Sequence, residues 1–232
     1  MAGGRSERMR ATNGPRHKAL VEVGGVPLIE RNLRSLFTRG IGDVVVVTSA
    51  EETAIAAFVS GPGAELARRY GARLSSYVEA AALGNIGVVA EFSAANTDLL
   101  VSYVDNLSSL DERALLERHR DSAAAMTLAT HLWPLRNPFG ELELAGGFVR
   151  AYREKPVRMV RISSGTCVVG PAAAEAVPRG RPCGVSELCA RLIELGLPVA
   201  AFAHDEPWVD VNDAAALTEA EALLRRYPER FA

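Results

Sequence analysis

The run Val44-Val45-Val46-Val47-Thr48, entered through Gly42-Asp43, constrains the fold of this chain more than any other stretch. Its β-branched residues favour strand, and the lack of polar alternation implies burial on both faces, as in a parallel sheet. Helical spacing surrounds it. Leu28, Ile29, Leu33, Leu36 and Phe37 predict a helix over 27–39, with Gly40 as its stop. Residues 50–59 read as a helix closed by Gly61-Pro62-Gly63, and 64–70 as another leading through Gly71 into a strand over 73–78. Helix 88–95 then precedes strand 98–104, and helix 111–120 precedes strand 124–131. This alternation predicts an α/β fold with a doubly wound, mixed but mostly parallel sheet and right-handed crossovers. Beyond Trp133, short strands over 141–144, 148–153 and 166–169 predict a smaller α+β lobe on the same sheet. Helices near 186–195 and 213–227 close the chain. No linker or repeat interrupts it, so residues 1–232 form one domain with halves 1–132 and 133–232.

Composition narrows the function classes. With 26 Lys and Arg against 28 Asp and Glu, the formal net charge is -2. A nearly neutral chain offers no electrostatic footprint for nucleic acid or an anionic membrane. Cys167, Cys183 and Cys189 form no metal-type pair and no complete disulfide framework, so reduced thiols are expected. No apolar run approaches the ~18 residues of a membrane span, and Met1-Ala2-Gly3-Gly4-Arg5 lacks a signal-peptide core. A cytoplasmic protein is expected.

Three segments could carry chemistry at the carboxyl ends of the strands, where ligands of open α/β sheets sit. In the first, Gly3-Gly4 lets backbone N–H groups approach phosphate oxygens, while Arg8 and Lys18 add positive charge. The loop is neither a Walker A nor a G-x-G-x-x-G motif, and a solvated tail reads equally well. In the second, Tyr103-Val104-Asp105-Asn106, an acid ends an apolar strand, although turn or cap aspartates are common there. In the third, Trp208-Val209-Asp210-Val211-Asn212-Asp213, Asp213 is the better cap for the last helix. That leaves Asp210 without an obvious structural task. Carboxylates about 4 Å apart repel by about 1 kcal/mol in water and about 4 at an effective dielectric of 20. If Asp105 and Asp210 converge, the pair holds either a proton or a cation, and Mg2+ accepts one or two carboxylates plus phosphates. His17, Glu22, Trp133 and Trp208 read as structural residues.

In order and spacing these segments resemble the sugar-1-phosphate nucleotidylyltransferases. Ala2-Gly3-Gly4-x-x-x-Arg8-Met9, Lys18-Ala19-Leu20 and Gly24-Gly25-Val26-Pro27 look like that family's opening. Leu83-Gly84-Asn85-Ile86-Gly87 is similar to its base-contacting loop, and Val104-Asp105-Asn106 and Trp208-Val209-Asp210 to its two metal motifs. Pro138-Phe139-Gly140, Glu154-Lys155-Pro156 and Gly165-Thr166 are similar to its sugar-side segments. Departures are Ser6 for glycine, Val104 before the metal aspartate, Asn85-Ile86 for Thr-Ala, and Ser163-Ser164 before Gly165.

The resemblance implies a Rossmann-like nucleotidyltransferase fold with nucleotide-binding (1–132) and sugar-phosphate-binding (133–232) halves. It implies transfer of a nucleotidyl group from an NTP to a sugar 1-phosphate, with pyrophosphate leaving. Arg8 and Lys18 would be catalytic. Ala2, Gly3, Gly4 and Gly87 would bind the nucleotide, and Gly140, Glu154, Lys155 and Gly165 the sugar phosphate. Asp105 and Asp210 would hold Mg2+. The partners are then an NTP and a sugar 1-phosphate, with homo-oligomerisation left open and neither nucleic acid nor membrane implied. Two alternatives stand beside this: an impaired nucleotide-binding paralogue, and a molybdenum-cofactor guanylyltransferase, whose glycine loop also carries the serine. The family has an apolar strand before its glycine loop, which here starts at residue 2; that strand is expected upstream. No hexapeptide-repeat acetyltransferase half is expected.

Overall fold

The structure is a computed structural model and describes Met1 and residues 17–231. A short turn, Lys18–Leu20, leads to the two-residue strands β1 (Glu22–Val23) and β2 (Val26–Pro27), and then to helix α1 (Leu28–Thr38). The apolar spacing of α1 buries Leu28, Ile29, Leu33 and Phe37. Gly40 follows at φ +81°, a left-handed turn that glycine adopts without a Cβ penalty.

Strand β3 (Asp43–Ser49) buries Val46, Val47 and Thr48, and pairs in parallel with β4 (Arg73–Glu79). Between them, α2 (Thr53–Phe58) and α3 (Ala64–Arg69) are joined by Val59–Gly63 as one wide π turn. Gly61-Pro62-Gly63 therefore carries the helix onward where the sequence predicts a stop. The π turn seats the proline. Gly63 packs so tightly that a Cβ would lie 2.9 Å from Leu74 and 3.0 Å from the Phe58 carbonyl.

Residues Gly87–Ala95 are 3-10 helix, with Gly87, Val88, Val89 and Ala90 buried in succession. Strand β5 (Leu99–Ser102) ends before a turn into β6 (Asn106–Ser108). Helix α4 (Glu112–Asp121) is capped by Asp111, whose carboxylate accepts from the Arg113 and Ala114 amides at 3.0 Å.

The remaining elements interleave with the first half. Strand β7 (Met126–Arg136) runs out into a hairpin of β8 (Glu141–Ala145) and β9 (Phe148–Arg153), and β10 (Val157–Val169) runs back. β10 lies antiparallel between β7 and β5, while β11 (Val199–Ala203) adds to β7 in parallel, giving the order β11-β7-β10-β5. The sheet is mixed because β10 returns through a hairpin, whereas a crossover helix would have delivered a parallel strand. Helices α5 (Pro171–Ala176) and α6 (Val185–Glu194) pack beneath it, burying Ala173, Leu188 and Leu192 against Ile86, Met126 and Val169. Strand β12 (Trp208–Asp210) pairs with β6, and α7 (Ala214–Arg226) covers β1 and β12. Among the described residues, no helix is long and apolar enough to cross a membrane.

One buried acid makes stability depend on pH. Burial pushes the Glu112 carboxyl up to about 7, against the pull of Arg39, whose Nε lies 2.9 Å away. The unfolded value is about 4.3, so the folded chain holds the extra proton between these limits. The associated stability is complete below the unfolded value and is lost as pH rises through about 7. Thermal melting of E112Q is expected to fall less between pH 5 and pH 8 than that of the parent protein. Identical pH profiles would remove Glu112 as the source.

Candidate active site

His17 begins the site. Its Nδ1 accepts the Ala19 amide at 3.1 Å, capping the Lys18–Leu20 turn. Ala19 is fully buried, so the turn is anchored and the Lys18 side chain projects to donate to Asp105 Oδ2.

Asp105 sits where the apolar strand β5 gives out. The Val104 carbonyl before it accepts from Asn32 at 3.0 Å, and the Asp105 carbonyl accepts the Val211 amide at 2.8 Å. Antiparallel pairing of β6 with β12 sets Asp210 opposite Asn106, which brings the second acid beside the first. Asp210 Oδ2 accepts from Asn212, whereas its buried Oδ1 has no hydrogen-bond partner among the described residues. Burial pushes the Asp210 carboxyl up, and the Asp105 charge pushes it further; Lys18 pulls the other way. Asp213 takes the capping role at α7, accepting the Ala216 amide at 2.8 Å. Asp210 is thus free of that duty, as its position in the sequence predicts.

Gly165 joins this centre. Between Ser163 opposite Thr130 and Cys167 opposite Leu128, β10 carries an irregularity that lifts Ser164 and Gly165 out of register. Gly165 has φ +79°, and a Cβ there would lie 2.3 Å from Asn106 Nδ2. Trp208 Nε1 donates to the Ser164 carbonyl at 2.8 Å and to Asn106 Oδ1 at 3.0 Å, tying β12, β10 and the Asp105-Asn106 turn together.

Other expected residues lie elsewhere. Gly87 is buried, and a Cβ there would meet Leu83 at 3.1 Å and the Arg181 and Cys183 backbone at 3.3 Å. The Cβ direction at Gly87 is thus closely lined by Leu83 and by the backbone of Arg181 and Cys183. Gly84 is held still more tightly, at φ +76° with a Cβ 2.5 Å from the Cys183 carbonyl. Gly140 backs onto the Tyr152 hydroxyl. Glu154 and Lys155 occupy the β9–β10 turn, exposed and 4.0 Å from each other. Among the described contacts, none ties them to Lys18, Asp105 or Asp210. Ala2, Gly3, Gly4 and Arg8 lie outside the described residues.

A buried polar cluster escapes sequence reading. Ser164 Oγ lies 2.8 Å from His204 Nε2, the His204 and His131 rings are 5.2 Å apart, and His131 stands 5.7 Å from Trp208. Burial lowers the His204 pKa, and His131 lowers it further. The members come from β7, β10 and the residue after β11, so no spacing in the chain could signal them.

The site's chemistry is that of paired acids beside a cation. An unpartnered buried carboxylate oxygen next to a second carboxylate suits a divalent cation, since Mg2+ takes few protein ligands and completes its shell with water and phosphates. Among the described residues no group of three or more His, Cys, Asp or Glu could hold a metal, so such a cation would rely on that pair.

Comparison with known proteins bears on the fold and the family. The chain is 22% identical over 228 residues to the glucose-1-phosphate cytidylyltransferase of Salmonella typhimurium, covering 90% of this chain and 88% of that protein. It is 25% identical to the UTP–glucose-1-phosphate uridylyltransferase of Synechocystis, covering 91% of this chain but only 59% of the relative. A solved structure from Bacillus anthracis, assigned as a glucose-1-phosphate thymidylyltransferase and complexed with sucrose, superposes with a TM-score of 0.74 at 20% identity. That match covers 97% of this chain and 93% of the other, and shows a shared nucleotidyltransferase fold. Residues 1–133 match the MobA-like NTP transferase domain, a stretch that holds the glycine loop, Lys18 and Asp105. With more than half of its length matched, the chain belongs to the MobA-like NTP transferase domain family.

Proposed function

We propose that this protein is a sugar-1-phosphate nucleotidylyltransferase of the cytoplasm. One observation carries the reading: Asp105 and Asp210 converge across the β6–β12 pair beside Lys18, and one oxygen of Asp210 is buried without a partner among the described residues. The relatives that act on glucose 1-phosphate support the substrate class.

An oxygen of the sugar phosphate attacks the α-phosphorus of the NTP. A new P–O bond forms, the bond to the β-phosphate oxygen breaks, and its electron pair leaves with pyrophosphate. The nucleophile is already an anion, so no protein base has to take a proton. The protein contributes position and charge. Lys18, held by the capped turn, would stabilise charge on the α-phosphate. Asp105 and Asp210 would hold Mg2+, which supplies charge neutralisation between the two phosphates when bound. Asp105 also orients Lys18. The glycine loop and Arg8 take the β- and γ-phosphates, and residues 133–232 supply Gly140, Glu154, Lys155 and Gly165 to the sugar phosphate.

A screen of pyrophosphate release over the common NTPs and a panel of sugar 1-phosphates tests the proposal. Release that needs both substrates and Mg2+ is expected, and no release with any pair would overturn it. The match to the MobA-like domain favours one second reading, molybdenum-cofactor guanylyl transfer. GTP with molybdopterin belongs in the same screen to test it.

Glu154→Ala is expected to raise the KM for the sugar phosphate about tenfold or more while leaving that for the NTP nearly unchanged. Measuring both constants separates the roles, and an effect confined to the NTP would contradict the sugar-side placement.

A further inference from the structure

Ser164 and His204 form a polar pair inside the fold, 2% and 8% exposed, with Ser164 Oγ 2.8 Å from His204 Nε2. They come from different strands. The His204 amide donates to the Thr130 carbonyl at 3.0 Å, so His204 extends the β11–β7 ladder just past Ala203. Ser164 lies in the irregular stretch of β10. Ser163 before it pairs with β7 and Thr166 after it with β5, but among the described residues Ser164 and Gly165 have no strand partner on either side. Side chains hold this stretch instead of a ladder: Trp208 Nε1 donates to the Ser164 carbonyl at 2.8 Å, and His204 meets the Ser164 hydroxyl.

Stability alone does not account for the pair. The Nδ1 atoms of His204 and His131, whose rings are 5.2 Å apart, are buried without a hydrogen-bond partner among the described residues. An orphaned buried polar atom is costly, and an apolar pair of similar volume would avoid that cost. Burial and the neighbouring His131 both favour the neutral ring, so His204 works through its hydrogen bond.

We propose that His204 and Ser164 are a positioning pair, which holds the Ser164-Gly165 stretch of β10 against the Asp105-Asn106 turn and thereby fixes the acceptor end of the site. The contacts are continuous. One Trp208 N–H is shared between the Ser164 carbonyl at 2.8 Å and Asn106 Oδ1 at 3.0 Å. Asn106 follows Asp105 and stands opposite Asp210 across the β6–β12 pair, and Gly165 lies against the Asn106 amide. Without His204, the Ser164 hydroxyl is buried with nothing to bond, and the stretch that carries Gly165 loses one of its side-chain supports. A shift of about 1 Å between Gly165 and the acids misaligns the attacking phosphate oxygen, which costs up to about 100-fold in rate. The inference rests on the nucleotidyl-transfer reading, in which Gly165 meets the sugar phosphate and the acids meet the cation. His204 and Ser164 act through Trp208 and Gly165 rather than on the substrate.

Three variants of the full chain test the pair: H204A, H204Q and S164A/H204F. H204A is expected to lower kcat/KM for the sugar 1-phosphate at least about tenfold while changing the KM for the NTP less than about twofold. H204Q keeps an amide that can bond the Ser164 hydroxyl, and is expected to recover most of that loss. S164A/H204F replaces both polar partners by apolar ones, so it is expected to melt within about 4 °C of the parent yet react as slowly as H204A. The chain has two tryptophans, and W133F leaves Trp208 as the single reporter. In that background Trp208 emission is expected to change in H204A and S164A/H204F but not in H204Q, a readout that needs no turnover. Parental kcat/KM in S164A/H204F would overturn the proposal, as would equal effects on both substrates. Activity that falls only in step with melting temperature across the three variants would make the pair structural and overturn it as well. No pyrophosphate release by the parent with any substrate pair would overturn the reaction itself, whereas unchanged Trp208 emission with an active parent would overturn the positioning pair alone.

Discussion

Substituting Asn for either Asp105 or Asp210 is expected to reduce turnover at least ~100-fold at saturating Mg2+, a loss of about 3 kcal/mol of transition-state stabilisation. Among the described residues no third acidic, His or Cys ligand joins the pair, so losing either carboxylate halves the protein's hold on the cation. The two variants should differ in stability, which separates chemistry from folding. Asp210 is half-buried, its carboxyl pushed up by that burial and by Asp105, with one oxygen unpartnered among the described residues. A folded-state pKa above the unfolded value contributes stability that is present at low pH and is lost as pH rises through it. D210N removes that loss and is expected to melt no lower than the parent at pH 8 without divalent cation. D105N instead leaves Lys18 without its carboxylate in a largely buried position, and is expected to melt lower. Near-parental turnover in both variants would sink the metal assignment. Equal melting temperatures for the two would contradict the unequal environments.

The second large effect concerns Lys18. K18A is expected to lower kcat at least ~100-fold while changing the KM for the NTP by less than about tenfold, because its charge acts mainly where charge develops on the α-phosphate. Removing Lys18 also takes away the one group in the site that opposes the rise of the Asp210 carboxyl from a distance. The pH profile of K18A should therefore shift toward higher pH for activity, as Asp210 ionises later. A loss confined to KM, with kcat intact, would assign Lys18 to ground-state binding alone.

Much of this site was legible before any coordinates. Asp105 ends an apolar run where an acid is costly to bury without a purpose, and Asp213 stood available as the cap that freed Asp210. Helix α1, strand β3 and helix α4 follow from spacing and from the caps that Gly40 and Asp111 provide. Gly87 shows what such reasoning leaves open. A glycine in a loop signals a close approach but not everything that approaches, and only the tertiary structure brings the backbone of Arg181 and Cys183 beside it. Glu154 and Lys155 are similarly ambiguous: charge in a turn is equally suited to a ligand and to water, and in this structure both are exposed.

By itself, then, the sequence determined what short-range energetics control. Runs such as Val44 to Val47 become buried strand, periodic Leu28, Ile29 and Leu33 become one face of a helix, and Asp111 and Asp213 begin helices, because each depends on residues within a few positions. Tertiary structure alone decided which strands are neighbours. β10 lies antiparallel between β5 and β7, a pairing made by residues far apart in the chain and set by the hairpin that returns it. That pairing lifts Gly165 onto Asn106 and joins Ser164, His204 and His131 in one buried cluster. Local sequence sets the hydrophobic pattern of each strand, but partner and register depend on the loop closures and side-chain packing of the whole sheet, which no window of sequence contains.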